Sequence, residues 1–86
     1  MEKGMNILEK ALKNSNGMDA IISISHKLFG KQTVKCKLDY IFEEERIGAK
    51  VKDGNELFIY RKDLVDYGIK DGIYFTDDLM EIKIKL

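Results

Sequence analysis

Proline and tryptophan are missing from this chain, and cysteine and histidine occur once each. A lone cysteine excludes an internal disulfide, and with it the cross-linked scaffold of many small secreted domains. No apolar run approaches the roughly 20 residues of a membrane-spanning helix, and no N-terminal apolar run resembles a secretory leader. The expectation is a cytoplasmic chain with no membrane partner. One histidine and one thiol cannot complete a structural zinc site without carboxylates. The glycines at positions 17, 30 and 54 stand singly, so no phosphate-cradling loop is present. Asp53-Gly54-Asn55-Glu56 lacks the alternating acidic spacing of a calcium loop. No cofactor, metal or small-molecule substrate is expected.

What is present suffices for one core. The 86 residues are 44% hydrophobic and 35% charged, which fits a single small domain over 1–86 and excludes wholesale disorder. The formal net charge is +0, which argues against a strongly basic nucleic-acid binder. The charges are unevenly spread, however. Residues 1–52 carry ten basic and seven acidic groups, and residues 53–81 three basic and eight acidic.

Asn6 and Glu9 have capping-box spacing. Ile7, Leu8, Ala11 and Leu12 follow at helical intervals, and Asn14 to Gly17 ends the pattern. The spacing predicts a helix over about 6–14. From Asp19 the period changes to two. Ala20, Ile22, Ile24, His26 and Leu28 form one stripe, and Val34, Cys36, Leu38, Tyr40 and Phe42 a second. Ile47, Ala49 and Val51 form a third, and Met80, Ile82, Ile84 and Leu86 the last. Leu57 to Tyr60 and Ile73 to Phe75 read as short strands. Lys62 to Tyr67 reads as a helical turn capped by Gly68. Glu43-Glu44-Glu45 and Asp53-Gly54-Asn55 read as hairpin turns. The class is α+β, mostly β: a short N-terminal helix, then five to six mainly antiparallel strands over about 19–86, forming a curled sheet or a small, partly open barrel. The predicted core is Val34, Cys36, Leu38, Ile47, Ala49, Val51, Ile82 and Ile84 with Leu8 and Leu12.

Three strands carry Lys-x-Lys on the side opposite their apolar stripe: Lys35 and Lys37, Lys50 and Lys52, Lys83 and Lys85. If Val34 to Val51 is one hairpin, the first two pairs face each other, an arrangement that costs a few tenths of a kcal/mol per directly opposed pair. An acidic partner would remove that cost. The six lysines are therefore the candidate binding residues. With 13 lysines and only Arg46 and Arg61 as arginines, the pattern suits diffuse electrostatic contact more than bidentate base reading. His26 and Cys36 fall on adjacent apolar stripes and could meet there, but no orienting acid is nearby, so no catalytic residue is assigned.

The function that follows is a small non-catalytic protein-interaction or assembly module, such as a regulatory, phage or mobile-element factor, with a protein partner or self-association. The alternatives are a shape-level RNA- or DNA-binding domain using the lysine face, and an enzyme using Cys36 and His26.

Overall fold

The computed structural model describes residues 3–86, beginning with a helix, α1 (Lys3–Ser15). Asn6 lies inside this helix and is exposed, so the predicted capping box does not form. Leu8 and Leu12 are fully buried, with Met5 and Ala11 packed beside them. These positions recur at three- and four-residue steps. Ile7, expected on the same face, is 53% exposed, because it sits roughly 100° around the helix from Leu8. Gly17 takes a φ of +85° after the helix end, a conformation glycine adopts without a Cβ penalty. Its N–H donates to the Leu38 carbonyl at 2.7 Å.

The rest of the chain forms eight strands in two antiparallel sheets. β1 (Asp19–His26), β2 (Gly30–Lys37), β6 (Asp66–Gly68), β7 (Ile73–Thr76) and β8 (Met80–Lys85) make the larger sheet, in the order β2-β1-β8-β7-β6. β3 (Tyr40–Phe42), β4 (Arg46–Lys50) and β5 (Glu56–Tyr60) make the smaller one, with β4 in the middle. The α+β, mostly β class stands, and the sheets do not close into one ring. The strand count exceeds the expected five to six partly because the predicted Val34–Phe42 strand is divided at Leu38-Asp39. There the Leu38 N–H donates to the Met18 carbonyl, and the Asp39 carbonyl accepts from Lys50, each at 2.8 Å. The expected helical turn at Lys62 to Tyr67 is also revised. A 3-10 turn covers Arg61–Asp63, and Asp66–Gly68 is strand. Gly68 pairs in register with Tyr74 instead of capping a helix.

The core lies between the inner faces of the two sheets, and α1 packs against β3, β6 and β7. Alternating burial holds in the three central strands of the larger sheet: Ala20 and Ile22 from β1, Ile73 and Phe75 from β7, and Ile82 and Ile84 from β8 are all buried. Leu38, Ile47, Ala49 and Ile59 complete the cluster from the other side. Of the predicted core, Cys36 and Val51 are only partly buried against it, and Val34 stands at its margin. Leu38→Ala is expected to cost roughly 2–5 kcal/mol, because Leu38 is 1% exposed at the point where the two sheets meet. Denaturant unfolding measures it, and a near-neutral change would contradict this placement.

Candidate binding face

The ladder around β1 decides which lysines share a surface. Ile21 is in register with Lys35 of β2 on one side and Lys85 of β8 on the other. Asp19 faces Lys37. Ser23 lies between Thr33 and Lys83, and Lys83 is also opposite Tyr74 of β7. Directly paired residues point to the same side of a sheet. Lys35, Lys37, Lys83 and Lys85 therefore gather on the outer face of the larger sheet, and Lys31, in register with Ser25, joins them.

Lys50 and Lys52 do not. Lys50 ends β4 in the smaller sheet, opposite Glu56, and Lys52 lies in a 3-10 turn. The expected Val34–Val51 hairpin does not form, because β2 spends its whole length on β1 and the chain changes sheet at Leu38-Asp39. The predicted repulsion between Lys35/Lys37 and Lys50/Lys52 is accordingly absent. Lys35 and Lys85 are separated by an intervening strand, about 10 Å at ordinary strand spacing.

The end of this face near Asp19 and Lys37 carries exposed apolar side chains. Ile21 is 40% exposed and lies in a shallow depression with Lys35, Lys37, Lys85 and Leu86 around it. Acidic groups also occur here. Asp19 makes an ion pair with Lys37 at 3.0 Å, but both side chains are largely exposed, and such pairs contribute at most about 1 kcal/mol. Glu81 faces Ser25 and Thr76. Asp66 stands on β6, the edge strand farthest from β2, so the face runs from basic to acidic across its width.

Tyr74 bridges the two halves. Its hydroxyl donates to Asp66 Oδ2 at 3.4 Å, and its phenol is pushed above the ordinary value, first by burial and then by the Asp66 charge. A raised folded-state value means that any stability from this group is present below the ordinary phenol pKa near ~10 and is lost as pH rises beyond it. The difference between wild-type and Tyr74→Phe ultraviolet phenolate titrations should have its midpoint above ~10. A midpoint below that would contradict the placement of Tyr74.

His26 and Cys36 are not brought together. His26 pairs with Gly30 at one end of the β1–β2 ladder and Cys36 with Ala20 near the other, roughly 20 Å apart at strand rise. His26 serves the turn instead. Its Nδ1 accepts from the Leu28 and Phe29 N–H groups at 3.0 and 3.3 Å, which places any imidazole proton of the neutral ring on Nε2. Leu28, expected to point inward, is 73% exposed, and Phe29 is 82% exposed. The inward stripe of β1 ends because the chain turns at Lys27–Phe29. Native Cys36 should react with iodoacetamide more slowly than it does in the urea-unfolded chain. Faster labelling of the native protein near neutral pH would reopen thiol chemistry.

The smaller sheet carries a second polar cluster that lay outside the lysine pattern. Arg46 donates to Glu43 at 2.7 Å and to Glu56, and its guanidinium sits 4.9 Å from the centre of the Phe58 ring. Hydrogen bonding to Arg46 holds the Glu43 carboxyl below its ordinary value. The register of Arg46 opposite Tyr60, two residues from Phe58, was the available signal, but it depends on a strand pairing that single-chain alternation does not specify. Among the described residues no group of three or more His, Cys, Asp or Glu side chains is placed to hold a metal ion, and no helix is long and apolar enough to cross a membrane. Comparison with protein-family models, curated proteins and solved structures gave no match.

Proposed function

We propose that this domain is a non-catalytic protein-interaction module, acting in the cytoplasm, whose partner presents an acidic surface to the outer face of the larger sheet. The observation that carries the reading is Ile21, an exposed apolar residue flanked in register by Lys35 and Lys85. An apolar contact ringed by charged side chains matches, on a small scale, the apolar core and polar rim of a protein interface. Nucleic acid fits this face less well. Among the described residues no arginine belongs to it, and arginine is the side chain that matches phosphates and base edges bidentately.

Replacing Lys35, Lys37, Lys83 and Lys85 together with Gln should leave the fold intact and weaken binding of polyglutamate at low salt at least tenfold. Replacing Lys50 and Lys62 should change that binding little, because they belong to the other sheet and the turn that follows it. Equal losses from the two sets would contradict the reading. Tighter binding to duplex DNA than to polyglutamate, with a log–log salt slope near −0.9 for each phosphate contact, would favour the nucleic-acid alternative.

A further inference from the structure

The larger sheet has a free edge at β2. This strand is eight residues long and, among the described residues, bonds only to β1, so half of its backbone donors and acceptors have no strand neighbour there. Natural proteins commonly cover, shorten or charge such an edge. Here it is charged on one side only. Lys31, Lys35 and Lys37 point to the outer face, each paired with a β1 residue of that face. On the inner side, Gln32 and Val34 border an open groove between the two sheets, with Ile24, Val34, Val51 and Leu57 as its apolar lining and Lys52, Asn55 and Glu56 on its far rim. Val34 is partly exposed there, although its register partner Ile22 is fully buried.

We infer that β2 is a strand-addition site, and that its occupant is an extended acidic segment of a partner protein in which apolar and acidic residues alternate. The inference rests on reading the lysine face as a protein-binding surface. A segment added beside β2 points successive side chains to opposite faces. Its apolar residues then enter the groove against Val34 and Leu57, and its carboxylates meet Lys31, Lys35 and Lys37. Main-chain hydrogen bonds to the edge supply affinity in this mode, and the alternating side chains supply specificity. A second copy of this chain is the poorer occupant. Pairing two β2 strands antiparallel about Val34 sets Lys31 of one copy against Lys37 of the other, and like charges directly opposed are destabilising.

The test uses three synthetic peptides with the full-length protein: one of four alternating Val-Glu repeats, one with the same four glutamates spaced by serine, and the Val-Glu peptide with alternate peptide nitrogens methylated along the edge that would pair. The Val-Glu peptide should bind at least tenfold more tightly than the Ser-Glu peptide, and methylation should remove that advantage. Hydrogen exchange at alternate β2 amides should slow at least tenfold on binding. Equal affinity for all three peptides, with binding still lost in the Lys35, Lys37, Lys83 and Lys85 to Gln variant, would overturn strand addition while leaving the acidic-partner reading intact. No binding of any acidic peptide at low salt would overturn both.

Discussion

Gly48→Ala is expected to destabilise the domain by about 3 kcal/mol or more, at or beyond the upper end of ordinary overpacking. In an unobstructed strand the same change stabilises by roughly 0.5–1 kcal/mol, because glycine has the greater backbone freedom to lose. The sign is therefore diagnostic. Gly48 lies in the middle of β4, opposite Ile41 on one side and Phe58 on the other. A Cβ at this position would fall 1.8 Å from the Leu57 carbonyl oxygen and 2.6 Å from the Phe58 Cα. Both are backbone atoms, so no rotamer change relieves the overlap and β5 must move. The displacement would also disturb the Phe58 ring on which the Arg46 guanidinium rests. Denaturant unfolding at unchanged m-value measures the effect. A neutral or stabilising Gly48→Ala would show that β4 and β5 do not pair in this register.

Phe75→Ala should cost about 3–5 kcal/mol, since truncating a buried phenylalanine removes its transfer free energy and leaves a cavity. Phe75 has no exposed surface and belongs to the central cluster with Leu8 and Leu12 of the helix. It is in register with Ile82 and with Tyr67, so it joins the central part of the larger sheet to its β6 edge. Small domains have about 5–15 kcal/mol of total stability. The loss is therefore large enough to lower the melting temperature by well over 10 °C, at ~4–8 °C per kcal/mol for a domain of this size. Tyr74→Phe on the neighbouring outer position is the control, and should shift melting by only a few degrees because it removes a single long hydrogen bond. Similar losses from the two changes would contradict the burial of Phe75 on the inner side of β7.

Each of these costs depends on strand pairing, and pairing is what the linear pattern leaves open. Lys35 and Lys37 illustrate the point. Their period-two spacing with Val34 and Cys36 correctly gives their side of the strand, because alternation is a local property of extended backbone. It does not say that β1 is the neighbour on which that side is displayed. Lys83 and Lys85 reach the same face only because β8 returns from the far end of the chain to pair with β1. Lys50 and Lys52 have the same local spacing and end in the other sheet.

The residue order alone determines the mostly β class, the two leucines of the helix stripe, and the turns at Gly17, Gly30 and Gly54, where each φ is positive. Those features follow from periodicity and from turn chemistry within a few neighbouring residues. Tertiary structure decides the break at Leu38-Asp39, the burial of Ile41 on the side opposite Ile47 and Ala49, and the exposure of Leu28. It also decides which four of the six lysines share the outer face with Ile21. The reason is that backbone hydrogen bonds join strands without regard to side-chain identity, so the choice of partner depends on how the whole chain satisfies its donors and acceptors around one core.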